Sequence, residues 1–273
     1  MKKLAAIFFL LIAVAFSAKA FAAAPVDTLA EVKKKGVLVA GVKNLLPPFG
    51  SIDENTGDIT GYDIDFVYAI AKKLGVKVEL VKVTSESRIT QLQSGEIDII
   101  AATMTRTPER AKEIDFSSSY FFTGQRFLAR KGSVKTLKGL EGKKIATVKG
   151  STSELNLRKA APTADVVLFE RYPEALQALQ EGKVTAMSTD EAILAGLLAK
   201  MPDKSKYEVS RLQLTVEPYG LGMRKGDRNF VDFVNSTLVE MEKSGEAKKI
   251  FQKWFGPKTD FPINRNFKIT TGM

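Results

Sequence analysis

Apolar positions along this chain recur with two periods, and the two alternate. Val37-Leu38-Val39-Ala40-Gly41-Val42 is an almost wholly apolar run and predicts a first strand. From Tyr62 to Leu74, the apolar Ile64, Val67, Ile70, Ala71 and Leu74 fall at helical spacing, and Gly75 is placed to close the helix. Between them lie a rigid loop from Asn44 to Phe49, with Pro47-Pro48, and a turn-like stretch from Asp53 to Thr60. Asn55-Thr56-Gly57-Asp58 is the expected hairpin tip. Then follow a strand over Val76–Val83, a helix from a Ser85 cap through Leu92, a strand over Ile97–Ala101, and a short helix over Pro108–Ile114. Thr107 is its expected N-cap, with Pro108 at the first position.

The second half repeats the alternation. Strand-like runs fall at Phe127–Arg130, Lys144–Val148, Val166–Phe169 and Thr185–Ser188, and helices over Leu155–Ala160, Pro173–Glu181 and Glu191–Lys200. The C-terminal part holds a strand at Tyr219–Met223 and helices over Asn229–Ser244 and Ala247–Phe255. This order predicts an α/β fold in two halves, each a mostly parallel sheet flanked by helices. No low-complexity linker separates the halves. The chain is therefore expected to cross by two short extended strands, near Phe127–Arg130 and Leu214–Gly220, making a hinge with the ligand cleft between the lobes. The expected division is 25–127 with 220–273 as a discontinuous first lobe, and 128–219 as the second.

Residues 1–24 read as a signal peptide rather than as fold. Lys2 and Lys3 precede an apolar stretch, Leu4 to Phe16, too short for a comfortable span, and Ala20-Phe21-Ala22 and Ala22-Ala23-Ala24 are small-x-small cleavage signals. The mature product is expected to be soluble and periplasmic. The formal charge of +10 includes Lys2, Lys3 and Lys19, which leaves +7 without them. The basic residues are scattered, with no arginine-rich arm and no aromatic–basic platform, so no nucleic-acid partner is expected. The chain has no Cys and no His, which excludes disulfides, thiol nucleophiles, thiolate metal sites and a Ser-His-Asp triad. It also has no GxGxxG and no phosphate-binding GxxxxGK[ST] loop, so no cofactor and no metal are expected.

Two segments carry candidate chemistry. The first is Ala101-Ala102-Thr103-Met104-Thr105-Arg106-Thr107-Pro108-Glu109-Arg110. Hydroxyls on Thr103 and Thr105, backbone amides and the forked guanidinium of Arg110 suit a carboxylate. The local residues fit an ordinary strand–loop–helix junction equally well. The second is Gly150-Ser151-Thr152-Ser153-Glu154, where a glycine allows close approach and hydroxyl residues open a helix. Together they make an anion site with one jaw on each lobe. Asp190, just past a strand, is either a helix cap or the counter-charge for a ligand ammonium. Carboxylate donors with an acid describe an α-amino acid site.

With these residues placed, the chain resembles the family 3 (polar amino acid) solute-binding proteins of ABC importers. Matching segments run from Leu38 to Phe255 and include Pro48-Phe49, Gly61-Tyr62-Asp63-Ile64-Asp65, Gly95-Glu96-Ile97-Asp98, Thr105-Arg106-Thr107-Pro108-Glu109-Arg110, Asp115-Phe116-Ser117, Gly150-Ser151-Thr152-Ser153 and Ser244-Gly245. The resemblance implies a two-lobed periplasmic-binding-protein fold (type II) with two hinge strands, acting as a monomer with an inner-membrane ABC permease as partner and a small amino acid as ligand. It implies that Thr103, Thr105 and Arg110 hold the ligand α-carboxylate, helped by Thr152 or its neighbours Ser151 and Ser153, and that Asp190 takes the α-ammonium. Ser85-Glu86-Ser87-Arg88 and Gln91-Leu92-Gln93-Ser94-Gly95 resemble the glutamate/aspartate-binding branch. In that branch two basic residues meet the ligand side chain, and here those positions carry Lys43 and Arg88. Two departures leave glutamine or asparagine open. Tyr172 stands where the branch has a histidine, and Lys43 replaces an arginine, a point charge for a planar fork. Cyclohexadienyl dehydratases resemble the same receptors, and their chemistry needs a general acid. Glu86 and Glu170 are the candidates, but nothing in the sequence sets either over the ligand, so no enzyme activity is expected.

Overall fold

The computed structural model describes residues 27–260 and 262–271. The expected signal segment, 1–24, lies outside them. Two five-stranded sheets carry the fold. In the first, Val37–Val42 is flanked by Lys77–Lys82 and Ile99–Ala101, all parallel. Parallel pairing follows because the helices Tyr62–Leu74 and Arg88–Gln93 return the chain to the same end of the sheet each time. Gly222–Arg224 and Ile114–Phe116 complete this sheet through antiparallel ladders. The second sheet runs Asp165–Phe169, Lys144–Val148, Ala186–Asp190, Gln125–Arg130, Tyr207–Val209, with the first three parallel and the last two added antiparallel.

A separate ribbon pairs Phe121–Thr123 with Glu217–Tyr219, antiparallel. Along the chain, each of these strands lies between a strand of one sheet and a strand of the other, so the ribbon is the double crossing. The second crossing falls within the expected Leu214–Gly220. The first does not coincide with Phe127–Arg130, which belongs to the second sheet, where Phe127 pairs with Ser188 and Ala129 with Ala186. A crossing strand and a sheet strand share one extended apolar pattern, and only the partner distinguishes them.

Three further differences have local causes. Pro108–Ile114 is not a helix throughout: Arg110–Glu113 forms one turn, and the fully buried Ile114 starts an edge strand instead. Tyr219–Met223 is two strands, Glu217–Tyr219 and Gly222–Arg224, parted where the chain leaves the ribbon for the first sheet. Thr28–Lys35 is a helix that its low apolar content concealed; Asp27 caps it by accepting from the Ala30 amide at 3.1 Å, and Gly36 closes it at φ 69°. Among the described residues, no helix is long and apolar enough to cross a membrane.

The core continues beneath the ribbon. Phe121 packs on Phe49 and Phe255 at 5.0 Å and on Tyr219 at 5.6 Å between ring centroids. All four rings are fully buried, so the crossing is rooted in aromatic packing on one side and faces the cleft on the other.

Candidate functional site

The wall on the first lobe is built where strands end. The chain leaves Ile99–Ala101 and turns at Thr103, whose φ of 49° is a left-handed conformation that a threonine adopts only when held. Asp63 holds it. The carboxylate accepts the Thr103 amide at 2.9 Å and the Tyr120 hydroxyl at 2.6 Å. Asp63 sits in the first turn of Tyr62–Leu74, the positive end of that helix. Burial pushes its carboxyl up to about 7, against the lowering pull of those two hydrogen bonds. The Thr103 hydroxyl donates to the Ala102 carbonyl at 2.8 Å.

Three cations converge beside this turn. Lys43, at the end of Val37–Val42, donates to the Ser85 hydroxyl at 3.0 Å. Arg88 donates to the carbonyls of Ala102 at 2.6 Å and Thr103 at 3.3 Å, while its Nε is buried with no partner in the protein. Arg110 donates to the Thr105 carbonyl at 3.0 Å and, across the cleft, to the Gly150 carbonyl at 3.1 Å. Burial, then the charges of Arg88 and Arg110, holds Lys43 well below the usual lysine value. Burial, then Arg110, lowers Arg88 to about 9.

The wall on the second lobe begins at Gly150. Its φ is +72°, and a Cβ there would lie 2.7 Å from the Glu86 Cα of the facing lobe, so only glycine permits this approach. The three hydroxyls that follow do not share one job. Ser151 turns back to the Val148 carbonyl at 2.5 Å, and Ser153 faces Thr189 at 3.5 Å inside the lobe. Thr152 donates to Glu217 at 2.8 Å. What this segment presents to the cleft is therefore the start of the helix Thr152–Ala160, not a row of hydroxyls.

Asp190 occupies an N-cap position but makes no capping bond. It accepts instead from the Tyr219 hydroxyl of the ribbon, and its Oδ1 is buried with no partner in the protein. Its side chain therefore does not cap the helix. Burial, then the charge of Glu217, pushes its carboxyl up to about 7. Glu86 and Glu170, the candidate acids, are exposed at the rim, with Lys149 at 2.8 and 4.0 Å.

The sequence reading picked out Lys43, Arg88, Thr103, Thr105 and Arg110 on one side, and Ser151, Thr152, Ser153 and Asp190 on the other; Arg110 reaches the Gly150 carbonyl beside the second set, and the Ser151 and Ser153 hydroxyls are turned to their own lobe. It passed over the acid Glu217, almost fully buried on the ribbon strand Glu217–Tyr219. Glu217 accepts from Thr215 at 2.5 Å, Thr152 at 2.8 Å and Asn156 at 3.0 Å. Its signal was the Glu217-Pro218-Tyr219 alternation, which turns an acid and a tyrosine to the same side of a strand. Tyr172, noted only as a departure, is buried beside Ser85 and Thr189, and burial raises its hydroxyl pKa.

Two jaws of hydrogen-bond donors, an acid with a free buried oxygen and a two-strand hinge are the makings of a capture protein. Residues 38–257 match the bacterial extracellular solute-binding proteins, family 3. The chain belongs to that family. It is similar to the ABC transporter glutamine-binding protein GlnH of Bacillus subtilis, 43% identical over 84% of each chain. It is also 32% identical to the glutamate/aspartate import solute-binding protein of Salmonella typhimurium, over 90% of this chain and 86% of the relative. Among solved structures it resembles an ancestral arginine-binding protein bound to glutamine, with TM-score 0.77 and 43% identity, covering 81% of this chain and 98% of that one. These neighbours share the type II two-lobed architecture.

Proposed function

We propose that this chain is the extracytoplasmic amino-acid receptor of an ABC importer and takes glutamine ahead of glutamate and aspartate. The observation that carries the choice is the charge balance of the cleft. Three cationic side chains, Lys43, Arg88 and Arg110, face three acids, Asp63, Asp190 and Glu217, with burial holding Lys43 well below the usual lysine value and Asp63 and Asp190 up at about 7. Counting only Asp190 against the cations favours an acidic ligand. With the two further acids the surplus vanishes. A zwitterion with a neutral side chain keeps the balance, whereas a glutamate side chain adds one uncompensated charge in a largely desolvated site.

The pose follows from the free valences. The α-carboxylate goes to Arg110, the start of Thr152–Ala160 and the Thr105 side. The α-ammonium goes to the unpaired Asp190 Oδ1. The side-chain amide oxygen accepts from Lys43 or Arg88, whose Nε lacks a partner in the protein. The relatives at 43 and 44% identity that are named for glutamine support this order over those at 32% named for glutamate and aspartate. The exposed, Lys149-paired Glu86 and Glu170 and the transport roles of the named relatives support a receptor over a dehydratase. We place the mature protein in the periplasm, as a monomer delivering to an inner-membrane permease.

Calorimetry against the amino acids, on protein unfolded and refolded to strip carried-over ligand, tests the reading. Glutamine should bind tightest, glutamate and aspartate at least about tenfold weaker, and lysine and arginine not measurably, since a further cation would sit beside three. Tightest binding of glutamate, aspartate or arginine would overturn the choice of glutamine.

A further inference from the structure

The ribbon strand Glu217–Tyr219 does more than join the lobes. Glu217 and Tyr219 are two residues apart, so both side chains leave the same side of the strand. Tyr219 reaches Asp190, and Glu217 reaches Thr152 and Asn156 in the first two turns of the helix that opens the second jaw. One strand of the hinge thus anchors both second-lobe elements of the site. Glu217 is 2% exposed and has no lysine or arginine within ion-pair distance among the described residues. Its compensation comes from two hydroxyls and an amide, and Arg110 feels its charge. A buried carboxylate held by neutral donors keeps its field directed at whatever else enters the cavity.

We propose that Glu217 is a specificity-determining residue, the hinge-borne charge that sets the cleft against acidic side chains. The proposal rests on the glutamine reading above for its direction, but its test is a ratio and does not depend on which ligand wins. Removing the charge takes one acid from the balance against the cations, which admits one more carboxylate. Asp190 faces Glu217, the Tyr219 hydroxyl, Arg110, Arg88 and Tyr172; of the charged groups, only Glu217 opposes its ionisation, and Tyr172 would do so only as a phenolate. Loss of Glu217 therefore also makes Asp190 easier to ionise.

The test compares glutamine and glutamate affinities for wild type, Glu217→Gln and Asn156→Ala, across pH 5 to 8. In Glu217→Gln the Thr152 and Thr215 hydroxyls can rotate to meet an amide, so the local hydrogen bonds survive. The ratio of glutamate to glutamine affinity should rise by roughly tenfold or more. The pH below which glutamine binding weakens should move down. Asn156→Ala removes one donor but no charge, and should leave both readouts within twofold of wild type. An unchanged ratio in a folded Glu217→Gln protein, or an equal change in Asn156→Ala, overturns the proposal. Glu217→Ala, which brings no amide to satisfy, carries the same expectation if Glu217→Gln is unfolded. Unfolding of both assigns Glu217 a structural role and likewise overturns it. Should wild type prefer glutamate, the glutamine reading fails while the shift in ratio still decides the role of Glu217.

Discussion

Gly196→Ala should make the protein more stable and the receptor worse. Gly196 lies inside the helix Glu191–Ala199 of the second lobe, at an ordinary helical conformation. Ala in a helix interior is favoured over Gly by about 1 kcal/mol. That gain is available whenever the lobes are apart, and in a protein of this size it corresponds to a rise of about 2–4 °C in Tm. With the lobes together, the added Cβ would lie 2.2 Å from the Pro47 carbonyl oxygen of the first lobe and 3.0 Å from Pro48 Cδ. Backbone cannot yield there as a flexible side chain would, so the lobes must stay about 1 Å further apart at this point. The contacts that span the cleft then weaken together. The Arg110 bond to the Gly150 carbonyl, at 3.1 Å, is charge-assisted and worth about 1.5–3 kcal/mol. The contact of Tyr172 with Ser85 adds a neutral hydrogen bond, about 0.5–1.5 kcal/mol. Loss of most of this weakens ligand binding by about 2–4 kcal/mol, or roughly 30- to 1,000-fold. Calorimetry reads the affinity, differential scanning calorimetry of the stripped protein reads the stability, and small-angle scattering should show a smaller contraction on saturation than in wild type. Wild-type affinity in the variant would refute the contact as part of closure. A fall in Tm together with affinity would show instead that this contact persists with the lobes apart.

Two further outcomes follow from the site. Arg110→Ala should cost about 2–5 kcal/mol of affinity for every α-amino acid alike, because it removes a guanidinium that touches both jaws; retention of wild-type affinity in a folded variant would remove it from the carboxylate clamp. Affinity should also fall as pH drops below about 7, by up to about tenfold per unit, and level off above it. The sign follows from Asp190: its pKa stands at about 7 without a ligand ammonium, the ammonium favours the carboxylate, so below that pH binding must expel a proton. Asp190→Asn should bind weakly with a flat profile, and a flat wild-type profile between pH 5 and 8 would contradict the ammonium role.

Much of this protein is local. The helix Tyr62–Leu74 and the strands Val37–Val42 and Lys144–Val148 have the bounds that their apolar runs, helical period and closing glycine predict, because burial of those apolar residues follows from the local pattern. The clamp candidates could be picked out for a similar reason: hydroxyls, a glycine and an arginine beside strand ends carry their chemistry in their types. What the chain alone left open concerns partners distant in sequence. Phe127–Arg130 and Phe121–Thr123 are both extended and apolar; pairing with Ala186–Asp190 puts one in a sheet, and pairing with Glu217–Tyr219 makes the other a hinge strand. Ser151, Thr152 and Ser153 looked interchangeable until Val148, Glu217 and Thr189 took their side chains. The ligand's charge is the same kind of property. Lys43 and Arg88 point to an acidic side chain through the resemblance, and only folding sets Asp63 beside Lys43 and Glu217 beside Asp190. Sequence determines which groups are present; the summed field in a desolvated cleft exists only once the tertiary structure has set the distances between them.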